Sequence, residues 1–205
     1  MTMYRFEGEA EEDYAARYHR WTDGRIASAG VPVGLRRYSP LTDVDPTVAE
    51  RVGRWVNGHG RGLVLTGAVG VGKTTLAASA FCQRMWHDGQ RGAWRSLPTL
   101  MNHLNAGFGT PEQAEAIKVI DGTGMLALDD LDKSRPNDLA AERVFAAIDN
   151  TITNQHPLLV TMNSSLPELA AHWPAAWGRP IVSRLKGYCD IVQINGRDRR
   201  LGGAR

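Results

Sequence analysis

The run Gly67-Ala68-Val69-Gly70-Val71-Gly72-Lys73-Thr74, followed by Thr75, has the spacing G-x-x-x-x-G-K-[ST] of a phosphate-binding loop. Glycines let backbone N–H groups converge on phosphate oxygens, and a helix that starts there adds its positive end. Lys73 would reach the β- and γ-phosphates of a nucleoside triphosphate, and the Thr74 hydroxyl would ligate Mg²⁺. A second group lies downstream, where Met125-Leu126-Ala127-Leu128 ends in Asp129-Asp130. An apolar strand ending in a carboxylate places Asp129 to bind Mg²⁺, directly or through water. Asp130, one residue on, stands where a general base for an attacking water is expected. Asn163 ends a third apolar run, Pro157 to Met162. It could bond the γ-phosphate or the water, or simply cap a turn.

These residues work only if strands bring them to one edge. Gly62-Leu63-Val64-Leu65-Thr66 is short enough for a buried strand, and Thr75 to Trp86 reads as a helix. That context separates the motif from an ordinary glycine-rich βα turn. Gly92 to Ser96 and Tyr188 to Ile194 are further strand candidates. Helical spacing recurs over Val48 to Val56, Leu97 to Leu104, Ala114 to Ile120, Leu139 to Ile152 and Leu166 to Ala171, with a stub over Ile181 to Leu185. Five strands alternating with helices predict an α/β fold, a mostly parallel five-stranded sheet with helices on both faces. The phosphate loop, Asp129 and Asn163 must then meet at the carboxyl edge. Near the start, Tyr14, Tyr18 and Trp21 recur at helical spacing over residues 10–21. Such a stripe either packs on the core or docks a partner.

The bulk properties bound the rest. A chain of 205 residues with 42% hydrophobic content suits one domain with a short appendage, and a net charge of +2 permits nucleic-acid binding without demanding it. Cys82 and Cys189 match no zinc spacing and read as free thiols of a reducing compartment. No apolar run approaches the ~20 residues of a membrane span, and residues 1–13 are acidic with no leader-like apolar stretch. The expectation is a soluble cytoplasmic protein without a membrane partner.

The phosphate loop, Leu126-Ala127-Leu128-Asp129-Asp130-Leu131-Asp132-Lys133 with Arg135-Pro136, Val160-Thr161-Met162-Asn163, Ser183-Arg184-Leu185 and Gly196-Arg197-Asp198-Arg199-Arg200 together resemble the DnaC/DnaI-type helicase loaders and the related IstB transposition ATPases of the AAA+ class. The resemblance runs from about Ala29 to Arg200. It implies an AAA+ type three-layer sandwich over residues 46–205 with no separate lid domain. Residues 1–45 would be a short N-terminal extension, a candidate docking helix. It implies a Mg²⁺-dependent ATPase that self-associates through its ATP site and loads a replicative helicase onto single-stranded DNA. An ATPase assisting a transposase is the alternative, and a P-loop small-molecule kinase a third. Asn163 would be a sensor of the γ-phosphate and Arg184 an arginine finger for a neighbouring subunit. Arg200, or Arg199 beside it, would be a second sensor. Leu97 to Phe108 occupies the family's place for single-stranded DNA, with Arg91, Arg95 and Lys118 as nearby cations.

Overall fold

The computed structural model describes residues 10–36, 44–105, 110, 111, 114 and 124–199. Helix α1 (Glu11–Ser28) and a 3₁₀ turn (Val33–Leu35) precede α2 (Pro46–Val56). Strand β1 (Gly62–Thr66) then leads into α3 (Lys73–Asp88), β2 (Ala93–Ser96) into α4 (Leu97–Asn105), and β3 (Leu126–Asp129) into α5 (Asp138–Thr153). Strand β4 (Leu158–Thr161), α6 (Leu166–His172), α7 (Ala175–Tyr188) and β5 (Cys189–Gln193) complete the described chain.

The sheet has the order β2-β3-β4-β1-β5, and every neighbouring pair is parallel. A parallel strand alternates its side chains between two covered faces, and the apolar runs obey this residue by residue. Val64, Leu126, Leu128, Leu158 and Val160 enter one core, against α4, α5, α6 and α7. Leu63, Leu65, Ala127 and Leu159 enter the other, against α1, α2 and α3. The result is the expected three-layer sandwich.

Helix starts follow their local chemistry. Asp45 caps α2 by accepting from the Thr47 and Val48 N–H groups, with Pro46 in the first turn. Asn137 caps α5, and Ser165 with Glu168 forms a capping box on α6. Two helices exceed their sequence signals. The spacing around Tyr14 predicted a helix over 10–21, but α1 runs to Ser28, because Thr22 and Ile26 continue its buried face. The stub over 181–185 is part of the 14-residue α7, which runs on through Pro180 although a proline inside a helix leaves the carbonyl four residues back, that of Ala176, without its N–H partner. The helix read over 114–120 lies outside the described residues apart from Ala114.

The aromatic stripe spends its contacts inside the molecule. The Tyr18 hydroxyl donates to the Trp86 carbonyl, its ring meets Trp86 edge-on at 6.0 Å, and Trp86 Nε1 donates to His19 Nδ1 at 3.1 Å. Trp21 covers Gly89, at the end of α3. Arg95, read as a cation near single-stranded DNA, is likewise turned inward. Its Nη1 donates to the Ala29 and Trp94 carbonyls at 3.0 and 2.7 Å, tying the end of α1 to β2. Phe108 and Lys118 lie outside the described residues. No described helix is long and apolar enough to cross a membrane.

Candidate nucleotide site

Strand order decides which loops meet. β4 lies between β1 and β3, so the loop after β1 faces the ends of both β3 and β4. These three carboxyl ends surround a cleft of ≈ 230 Å³ lined by Val69, Gly70, Gly72, Lys73, Thr74, Thr75, Asp130, Lys133, Asn163 and Arg199.

The near wall is the loop itself. All three of its glycines, Gly67, Gly70 and Gly72, have positive φ, and at the first two a Cβ would also clash. Gly67 has φ +142°, and a Cβ there would overlap the Ile194 carbonyl. Gly70 has φ +82°, and a Cβ there would overlap the Asp198 carboxylate. Helix α3 starts without a side-chain cap, so the first N–H groups of the helix remain for an anion. Lys73 is buried and donates to the Gly67 and Ala68 carbonyls, both at 2.7 Å. Burial lowers the Lys73 pKa, while the Asp130 and Asp132 carboxylates oppose that shift. Val71 turns into the core below.

The far wall is built from side chains that hold one another. Asp129 is buried, and its Oδ1 accepts from Thr74 Oγ1 at 3.0 Å and from Thr161 Oγ1 at 2.6 Å. Burial pushes the Asp129 carboxyl above its ordinary range, and those two hydroxyls pull it back. The Thr161 hydroxyl also accepts the Asp130 N–H at 2.9 Å, at a residue held in the left-handed region with φ +58°. Lys133 Nζ donates to Asp130 Oδ2 at 2.6 Å. Asp132 accepts the Asn163 and Ser164 N–H groups at 2.8 and 2.6 Å, and Asn163 Nδ2 approaches its other oxygen at 3.4 Å.

The structure therefore gathers Gly70, Gly72, Lys73, Thr74, Thr75, Asp129, Asp130 and Asn163 at one sheet edge. Arg184 is not among them: it sits half-exposed on α7, with Nε paired to Asp149 Oδ1 at 2.7 Å. Arg200 lies outside the described residues, whereas Arg199 lines the cleft beside Gly72 and its N–H donates to the Gly70 carbonyl at 3.0 Å. Thr161, Asp132 and Lys133 had no role assigned from sequence. A lone threonine in the apolar run Leu158 to Met162 was a usable signal for the first. The other two stood in the stretch that carries the family resemblance, with no role attached.

The donor set fits Mg²⁺. One hydroxyl and one carboxylate 3.0 Å apart suit a small cation that takes its remaining ligands from water and phosphate oxygens. Among the described residues no group of three or more acidic, His or Cys side chains forms a self-sufficient metal cage.

Residues 47–204 match the family model described as IstB-like ATP binding protein. No curated protein matches the chain by sequence. Among solved structures, DnaI superposes with a TM-score of 0.71 at 22% identity, covering 86% of this chain and 100% of that one. A DnaC helicase loader gives 0.64 at 23% identity, covering 83% and 99%. A putative primosome component from Streptococcus pyogenes serotype M3 gives 0.67 at 19% identity, covering 86% and 98%. At these identities the likeness is one of fold.

Proposed function

The chain belongs to the IstB-like ATP-binding protein family, and from that premise we propose that it hydrolyses ATP as a switch acting on DNA, loading a replicative helicase. The observation that carries the hydrolytic reading is the Thr74–Asp129–Thr161–Asp130 chain of hydrogen bonds. It sets a metal-binding pair and a prospective base side by side at the mouth of the phosphate loop. Mg²⁺, when bound by Thr74 and Asp129, supplies neutralisation of phosphate charge. The chain's own residues do the rest. Loop N–H groups and Lys73 hold the phosphates, Asp130 accepts the proton of the attacking water, and Asn163 orients that water or the phosphate.

Arg184 fits a part played in trans. It does not line its own cleft, is half-exposed, and is paired to Asp149. A planar guanidinium so presented suits the γ-phosphate in a neighbouring copy, which makes a homo-oligomer through the ATP site part of this reading. The second-sensor role belongs to Arg200 or to Arg199 beside it, and Arg199 lines the cleft. The helicase rests on the likeness to the DnaI and DnaC structures, and single-stranded DNA rests on the sequence resemblance, since Arg95 is engaged elsewhere. The second reading, assistance to a transposase, rests on the sequence resemblance to the IstB ATPases, while the family match itself supports ATP binding. Pull-down from the native host separates the two by recovering a helicase or a transposase.

The test of the switch is complementation. Lys73→Ala should lose most ATP affinity, and Arg184→Ala should bind ATP yet turn over about 10³-fold slower or worse. Mixing the two should restore part of the activity, because one copy supplies the finger and the other the loop. Equal hydrolysis by wild type and Lys73→Ala overturns the ATPase reading, and full activity of Arg184→Ala alone overturns the trans finger.

A further inference from the structure

Lys133 is the cleft's second lysine, on the wall opposite Lys73. Its N–H closes a turn onto the Asp130 carbonyl at 3.0 Å, so the two side chains leave the same tight turn and meet at 2.6 Å. The contact is asymmetric. Lys133 is 43% exposed on a flexible stem, while Asp130 is 18% exposed and fixed by its backbone bond to Thr161. Neighbouring Asp132 is committed to Asn163 and Ser164. A carboxylate that would take a proton from water is thus covered by an ammonium group, and the cover is the more exposed partner.

We propose that Lys133 is a latch on Asp130 that responds to the terminal phosphate of a nucleoside triphosphate. An ion pair whose ammonium partner is exposed to water is readily exchanged for a stronger anion. A triphosphate brings more negative charge and more acceptor oxygens than one carboxylate, so it draws the ammonium away. Asp130 is then free to face water only when a triphosphate is present. A diphosphate brings one phosphate fewer and leaves the pair closed. Lys133 contributes by positioning Asp130 and by discriminating the triphosphate. This rests on the ATPase reading above.

The experiment is calorimetric titration of the intact chain with Mg²⁺ and either a non-hydrolysable ATP analogue or ADP. Lys133→Met should bind the analogue about tenfold more weakly, the scale of one charge-assisted hydrogen bond, with ADP affinity within about twofold of wild type. Lys133→Arg should restore the ratio. Asp130→Asn should bind the analogue more tightly than wild type, since the cation has no carboxylate to leave, and that gain should vanish in the Lys133→Met background. An unchanged ratio in Lys133→Met, or equal weakening of both nucleotides, overturns the latch while leaving the ATPase reading intact. So does an Asp130→Asn gain that persists without Lys133. Wild type that binds neither nucleotide overturns the ATPase reading, and the latch with it.

Discussion

The two walls of the cleft are made of different material. The near wall is backbone: glycines in conformations that other residues resist, N–H groups of an uncapped helix, and a lysine folded onto carbonyls of its own loop. The far wall is side chain: Asp129, Asp130, Lys133, Thr161, Asp132 and Asn163, each held by another, across strand ends except for Lys133 and Asp130, which share a turn. A backbone wall is rigid and its requirements are local. A side-chain wall can be rearranged by exchanging one partner for another, which suits the response proposed for Lys133.

Three substitutions sharpen or break this contrast, beginning with the largest effect. Gly67→Ala places a Cβ against the Ile194 carbonyl in a strained conformation, so neither the loop nor β5's exit can yield cheaply. It should cost about 3 kcal/mol, read as a lower urea midpoint at unchanged slope, and nucleotide binding should fall with it. A variant that melts and binds like wild type would show that the near wall does not depend on its backbone. Thr161→Val removes the hydroxyl shared by Asp129 and Asp130 while keeping the strand's packing. About 2 kcal/mol should be lost, and turnover should drop much more than ATP affinity, since only the far wall is disturbed. Proportional losses in both would erase the division between holding and reacting.

The smallest effect lies outside both walls. Arg51 on α2 holds Asp190 of β5, with Nε to Oδ2 at 2.9 Å, and that hydrogen bond keeps the Asp190 carboxyl below its ordinary 3.8. Both side chains are partly exposed, so Asp190→Asn should cost only about 0.5 kcal/mol. Because the folded value is the lower one, this contribution is complete above 3.8 and disappears as pH falls through the folded value. Melting wild type and Asp190→Asn side by side should give a constant gap from neutral pH to mildly acidic conditions, closing in stronger acid. A gap that widens in acid would mean the pair is not the source.

Much of this protein was determined by sequence alone. Period-two alternation is absent from the strands because both faces are buried, so Leu63 to Leu65, Leu126 to Leu128 and Leu158 to Val160 read as continuous apolar runs. The near wall was legible for a related reason: Gly67, Gly70, Gly72, Lys73 and Thr74 act through a few consecutive residues, and their spacing is their geometry. Asp129, Asp130 and Asn163 were legible because they end apolar runs, and strand ends in a parallel sheet share an edge. What belongs to contacts between distant segments was not. Only the strand order, with β4 between β1 and β3, brings the Thr161 hydroxyl between two aspartates of another strand. Only the fold decides that Tyr18 spends its hydroxyl on Trp86, 68 residues away, and that Arg95 faces Ala29, 66 residues away, instead of solvent. The physical reason is that side-chain partners are chosen by proximity in space, and a sequence carries proximity only within a turn or two of the chain.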